Sequence, residues 1–303
     1  MSCPNANSPI DISLQDISGK CDLKCAYNFN YPVSSCNVTN RGSYISMTYD
    51  SSSNPPVMYN TTPYTVKEIR IYNPSLHSFG GNKSVGEIII IHISNKGGNP
   101  LLVCVPLEED NATTKGSSYL SSIIDTMATN APSDGESTSI LINDFTLNEF
   151  VPKKPFFSYT AIQPYQPCVG NVDLIVFGKA IGSCKISTDA LQKFKSIITE
   201  NTYTVKEGPL LFYNSKGPGS SESMDDEIFI DCKPVNSSTE ETTITNQTST
   251  STTQQMTMED IVNNPAFIFI MSFLAIIVII YVIKLFYYGI AKAFVNISDK
   301  QKQ

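Results

Sequence analysis

The sequence predicts a mainly β (α+β) domain, built on a twisted, mostly antiparallel sheet and followed by a stalk and one C-terminal transmembrane helix. Three observations predict it. Runs rich in β-branched and aromatic residues, punctuated by Pro and Gly, fill residues 1–214. A Ser/Thr tract follows, with 13 hydroxyl residues among the 22 of 236–257. Residues 266–283 then form an uncharged apolar run of 18.

Residues 44–49 alternate apolar and polar side chains, as a half-buried strand does. Residues 66–72 alternate too, with Val66, Glu68, Arg70 and Tyr72 on one face and Lys67, Ile69 and Ile71 on the other. Residues 87–93, EIIIIHI, suit a central strand covered on both faces, as do 101–107. Residues 171–177 add a further strand. Helices are predicted over 117–127 and 188–199. Thr188 is placed to cap the second, and Leu191, Phe194, Ile197 and Ile198 recur at helical spacing. No repeat period suggests a solenoid or propeller.

The C-terminal third is not core-forming. Residues 215–226 are small and acidic, and 228–232 read as a short strand or docking segment. The Ser/Thr tract cannot offset its ordering entropy by burial, so 215–262 is expected to be a stalk. At 1.5 Å per residue the apolar run reaches about 27 Å, close to a hydrocarbon core of about 30 Å. A transmembrane helix over 263–288 and a basic tail over 289–303 complete the expected order. The alternative for the run is a buried helix. Lys284, Lys292, Lys300 and Lys302 follow it, opposed by Asp299, which places the tail on the enclosed side. Residues 1–15 lack the basic and apolar parts of a cleavable signal peptide, so a C-terminal anchor inserted after synthesis is expected.

Composition excludes some functions. The formal net charge is -7, and Arg occurs only at 41 and 70. Such a chain is unsuited to a phosphate backbone, so no nucleic-acid partner is expected. Seven N-x-S/T sequons occur. Asn37, Asn60, Asn82 and Asn111 are the candidate glycosylation acceptors within the domain, and Asn236, Asn246 and Asn296 lie beyond it.

Four collinear segments carry a family resemblance: SPIDI at 8–12, YTVKEIRIYN at 64–73, EIIIIHISN at 87–95, and FFSY at 156–159 running through Pro167-Cys168 to VDLIV at 172–176. With the helix ALQKFK at 190–195, they resemble α-class carbonic anhydrases over about 200 residues. The resemblance implies one domain on a large twisted sheet. It also implies a zinc site in which three histidines from two neighbouring strands hold the metal, and a threonine accepts a hydrogen bond from the zinc-bound hydroxide. Zinc would lower the pKa of its bound water and so make the nucleophile for CO₂.

This sequence breaks that chemistry. Arg70 and Tyr72 align with two of the histidines, His92 with the third, and Pro164 with the threonine. A fixed guanidinium repels Zn²⁺. No metal, no cofactor and no enzymatic activity are therefore expected. His92 is expected to face the former site and to bond Tyr72 or water. His77 has no partner at ligand spacing.

Extracellular family members join the two regions that hold Cys3 and Cys168, so the resemblance implies that disulfide. Closing so long a loop is worth roughly 4–5 kcal/mol of unfolded-chain entropy. Cys21 and Cys25 have no second pair at metal spacing, and one of them is expected to pair with Cys36. Cys184 with Cys232 is a further option. Reduced buried thiols are the alternative for all.

A metal-less domain, stalk, anchor and tail in this order is similar to the cell-surface-binding envelope proteins of poxviruses. The resemblance implies a single-pass protein of a virion membrane, with its large N-terminal domain on the outer side. Lipid and other virion proteins are its expected partners. Two roles stay open. One is a structural protein making capsid or envelope contacts, and the other a host-attachment protein binding a cell-surface glycan. The acidic balance favours the first.

Overall fold

The computed structural model describes residues 3–22 and 24–219. In chain order, β1 (Asp11–Ile12), β2 (Ile17–Lys20), β3 (Tyr27–Phe29), β4 (Cys36–Asn40) and β5 (Tyr44–Met47) come first. Next are β6 (Val57–Tyr59), β7 (Thr62–Tyr72), β8 (Ser78–Phe79), β9 (Asn82–Lys83), β10 (Gly86–Ile93) and β11 (Leu101–Glu109). Helix α1 (Lys115–Asn130) precedes β12 (Ser137–Ile140), β13 (Phe156–Ile162) and β14 (Asn171–Phe177). The turn α2 (Lys179–Gly182), β15 (Cys184–Ile186), α3 (Thr188–Ile197) and β16 (Leu211–Asn214) close the fold.

A 13-stranded sheet runs β12-β4-β5-β7-β10-β11-β14-β13-β16-β2, with β15 beside β11 and the β3–β6 pair beside β7. The parallel pairs within it are β11–β14, β11–β15 and β16–β2. The β-branched run of β10 sits centrally between β7 and β11, and every residue from Gly86 to His92 is buried.

Alternation divides the core between the two faces. Ile88, Ile90, Val103 and Val105 pack on one face with Leu120, Ile123 and Ile124 of α1 and Phe194 of α3. Tyr72, Ile89, Leu102, Cys104, Tyr159 and Val176 line the other, covered by Ile10, Ile12 and Leu76. One irregularity changes the expected faces. The β7–β10 register shifts between Ile91, opposite Glu68, and His92, opposite Val66, so Lys67 is an extra residue. This is a β-bulge. Glu68, Arg70 and Tyr72 keep one phase, whereas Val66 packs with the helix-side core rather than with them.

Both longer helices begin at a hydroxyl cap. Thr114 and Ser117 form a reciprocal capping box at α1. Ser187, not Thr188, caps α3 by accepting from Ala190 N.

Among the described residues two disulfides are present. Cys3 is bonded to Cys168, and Cys21 is bonded to Cys25. Pairing with Cys36 is thereby corrected. The backbone turns at once after Cys21, whose carbonyl accepts from Cys25 N at 2.8 Å, so the two side chains meet. Cys36, Cys104 and Cys184 are free and buried.

The expected transmembrane helix and the single-pass topology also need correcting. Among the described residues no helix is long and apolar enough to cross a membrane. The longest, α1, has 16 residues and carries Ser, Thr, Asp and Asn, whereas a span needs about 20 mostly apolar ones. The described fold is a mixed, mostly antiparallel sheet with short helices. The runs at 220–262 and 263–303, and Cys232, lie outside the described residues.

Candidate functional site

β7 and β10 build the site. Past the bulge, β7 presents Glu68, Arg70 and Tyr72 to one face, and β10 presents Glu87, Ile89 and Ile91 to the same face. Ile89 stands directly opposite Arg70, and Glu87 opposite Tyr72. Tyr165, after β13, closes over them.

Arg70 is 6% exposed. Its guanidinium carbon lies 4.9 Å from the Tyr44 ring centroid and 4.7 Å from that of Tyr165. Its Nη2 donates to Glu68 Oε2 at 2.8 Å, and Nη1 donates to the Tyr72 hydroxyl and the Gln166 carbonyl, each at 3.4 Å. Burial, the largest single effect, works against the charge, but Glu68, Tyr72 and Tyr165 together outweigh it and hold Arg70 above its ordinary pKa. Tyr72 stacks on Tyr165 at 5.9 Å and lies edge-on to Tyr203 at 6.4 Å. Four tyrosines thus surround one fixed cation. Buried Arg70 Nε and Tyr165 Oη keep no hydrogen-bond partner among the described residues. Pro164 is buried, and its carbonyl accepts from Cys3 N at 3.1 Å.

His92 belongs to the opposite face, which corrects its expected place. It alternates with Ile91 and so points into the helix-side core, away from Tyr72. Its Nδ1 donates to the Leu101 carbonyl at 3.1 Å, so Nε2 accepts from the Tyr31 hydroxyl at 2.9 Å. The Tyr27 hydroxyl lies 3.2 Å from that of Tyr31. Burial pulls the His92 pKa down to about 4, outweighing the backbone carbonyls that favour its proton. The unfolded chain takes up this proton near pH 6.5, and the folded chain only near pH 4. Stability is therefore complete above about pH 6.5 and declines by up to about 3 kcal/mol as pH falls to 4. Urea midpoints followed from pH 7 to 4.5 should fall more steeply for the native chain than for His92→Gln. Equal slopes would remove His92 as the cause.

A second buried cluster lies on the former site's side. Glu87 Oε2 accepts from Leu76 N at 2.7 Å and His77 N at 3.1 Å, and Oε1 lies 2.6 Å from His77 Nδ1. With the carboxylate as acceptor, Nδ1 donates and Nε2 is left to accept from the Tyr159 hydroxyl at 2.6 Å. Cys104 completes a His-Glu-Cys set whose donor atoms lie within 4.8 Å of one another. Burial, then Glu87, push the Cys104 thiol well above its usual pKa. By donor type the three could hold a metal, but Glu87 and His77 already satisfy each other. Sequence reasoning missed this cluster because His77 arrives from a loop, not from a strand position two residues from another ligand.

The remaining sequence-predicted positions are dispersed. Asn37 on β4, Asn60 in the turn before β7, Asn82 on β9 and Asn111 between β11 and α1 are all exposed.

No protein-family model and no curated protein sequence matches the chain. Solved structures do. Carbonic anhydrase Cah3 from Chlamydomonas reinhardtii aligns over 69% of this chain and 91% of its own, at 18% identity and a TM-score of 0.59. The α-carbonic anhydrase of Thermovibrio ammonificans aligns over 69% of this chain and 86% of its own, at 19% identity and 0.56. Dioscorin, solved with ascorbate, aligns over 71% and 87%, at 16% identity and 0.57.

The fold is that of the α-carbonic anhydrases.

A metal in a carbonic anhydrase-like fold needs ligands that converge on one face of two adjacent strands. At the centre of that face stand Arg70, Tyr72 and Ile89, a fixed cation, a phenol and a hydrocarbon, while the flanking carboxylates Glu68 and Glu87 are taken up by Arg70 and by the Leu76–His77 loop. Burial raises the Tyr72 pKa despite the nearby guanidinium, so it does not offer a phenolate. These residues do not fit Zn²⁺.

Proposed function

We propose that this chain is a non-catalytic protein whose carbonic anhydrase-like domain works through contacts with other proteins. One observation carries the reading: the Arg70 guanidinium, clasped by Tyr44, Tyr165 and Glu68, fills the space a metal would need. The contacts have a place to form. β12 ends the sheet as an uncharged Ser-Thr-Ser-Ile edge, and Leu141 beside it is 95% exposed. Unprotected edges pair readily with other chains. The finer reading is a structural protein in the particle of a large DNA virus. It is supported by a metal-less carbonic anhydrase-like domain, which poxvirus envelope proteins also carry, and by a residue usage rich in Asn, Ile and Tyr and poor in Arg. The second reading, attachment to a cell-surface glycan, is favoured by Lys20 and Lys24 on the rim of a cleft.

The purified chain should carry no stoichiometric zinc by elemental analysis and should hydrate CO₂ at the uncatalysed rate. One tightly held zinc, removable with loss of hydration, would refute the non-catalytic reading. Chemical cross-linking of intact particles should join the chain to neighbouring particle proteins. Recovery of the unlinked chain alone would count against the structural role.

A further inference from the structure

β12 ends the path of the sheet and, among the described residues, pairs with β4 alone. Asn40 N donates to the Glu136 carbonyl at 2.9 Å, just before β12 begins. Hydrogen bonds alternate along an antiparallel ladder, so Thr138 opposite Val38 and Ile140 opposite Cys36 are the residues that bond to β4. Ser137 and Ser139 therefore turn their backbone N–H and C=O groups outward. Their side chains are already engaged. Ser137 Oγ lies 2.8 Å from Thr39 Oγ1, and Ser139 Oγ donates to Asn37 Oδ1 at 2.5 Å. Among the described residues, the one partner of the outward backbone groups is the Thr138 hydroxyl, 3.5 Å from the Ser139 carbonyl.

This edge is self-complementary. Ser137-Thr138-Ser139 reads the same in both directions, so a two-fold axis at Thr138 sets Ser137 of one chain opposite Ser139 of a second copy. Both serines face outward, so each such pair can exchange both of its backbone hydrogen bonds, and the two Thr138 residues meet as the close pair between them. In the same register the almost fully exposed Leu141 comes opposite Gly135 of the copy, where a side chain would meet nothing within 4 Å. Asp134 and Glu136 do not meet their own counterparts, and β12 itself carries no charge. At the other end of the path β2 carries Lys20, a charge of the kind that keeps an edge single.

We propose that β12 pairs antiparallel with β12 of a second copy of this chain, joining two sheets into one across a two-fold axis. The proposal rests on the reading that the domain works through protein contacts, and it names one partner for them. Strand addition at an open edge draws its affinity from main-chain hydrogen bonds and its specificity from the side chains that alternate along it. A strand of another protein meets the same backbone groups. The copy also brings the matching outward serines and the open place for Leu141 from residues already present. So short a ladder buries less than the roughly 1,200 Å² of a stable complex, so self-association is weak, on the order of 100 µM.

The test is oxidative cross-linking of the full chain carrying Thr138→Cys and Cys232→Ser, the second change removing a competing thiol outside the described residues. Ser53→Cys in the same background, at an exposed loop position, reports random collision. A close antiparallel pair admits a disulfide, so Thr138→Cys should form a reducible dimer about tenfold faster than Ser53→Cys. Adding Ser139→Pro, which removes an outward N–H, should return the rate to that of Ser53→Cys. Adding Leu141→Asp, which brings a charge beside Glu136 of the copy, should slow it about threefold. Circular dichroism confirms that each variant is folded. Leu141 is so exposed that its substitution spares the fold, and this variant decides if the Ser139→Pro chain unfolds. A Thr138→Cys rate equal to that of Ser53→Cys would overturn the pairing, as would a rate that neither addition changes. If self-linking is absent while particle proteins still cross-link to the chain, the pairing falls and the contact reading stands. Self-linking at Thr138→Cys without any particle neighbour would keep the pairing and remove the structural role.

Discussion

Alanine at Glu87 should lower the unfolding free energy by about 4 kcal/mol, because three buried donors lose their acceptor together. Glu87 is fully buried and accepts from Leu76 N, His77 N and His77 Nδ1. No water replaces it at so enclosed a position without first opening the loop from β7 to β10. For a domain of this size the loss corresponds to a midpoint lower by roughly 10 °C. Glu87→Gln keeps one carbonyl acceptor and should lose about half as much. Urea unfolding, followed by far-ultraviolet circular dichroism, measures both. A Glu87→Ala chain within about 1 kcal/mol of the native one would show that the carboxylate is not what fixes the loop.

Zinc binding should appear when His is placed at positions 70, 72 and 89 together. Ile89 faces Arg70 across the ladder, and Tyr72 follows Arg70 by two residues, so three imidazoles there would share one face. The Arg70→His, Tyr72→His, Ile89→His chain should take up one zinc. The chain with only Arg70→His and Tyr72→His should bind roughly 100-fold more weakly, although His92 is still present. Elemental analysis after dialysis against a weak chelator separates the two. Equal zinc in both chains would mean that His92 can reach the site, contrary to its bonds to Tyr31 and Leu101. Activity is not expected from this variant alone, since Pro164 has no hydroxyl to orient a bound hydroxide.

The sequence disclosed the strands more readily than their phase. Residues 66–72 and 87–93 fall within β7 and β10 because β-branched runs bounded by turns leave few other options. Which side chain faces which core was hidden, because both faces of β10 are apolar and polarity marks neither. His92 therefore drew attention as a ligand, whereas the position that matters carries Ile89, a residue with no chemistry to notice. The Lys67 bulge displaced Val66 in the same silent way. Arg70 and Tyr72 were legible because β7 is regular beyond the bulge. His77 was not, since its contact with Glu87 depends on the fold of the intervening turn. The Cys21–Cys25 pairing depends similarly on an immediate reversal of the backbone, and a spacing of four does not reveal one.

The Cys3–Cys168 bond, with a sequence separation of 165, turns everything from β1 to β13 into a covalent ring. β14 lies outside that ring in sequence, yet it is hydrogen-bonded between two strands that belong to it, β11 and β13. A single protease cut at an exposed turn such as Gly97-Gly98 would open the ring without dividing the molecule. Both new ends would remain tethered on the same sheet. Nicked and intact chains would then migrate as one species until the bond is reduced, so the domain can take one such cut without shedding a fragment.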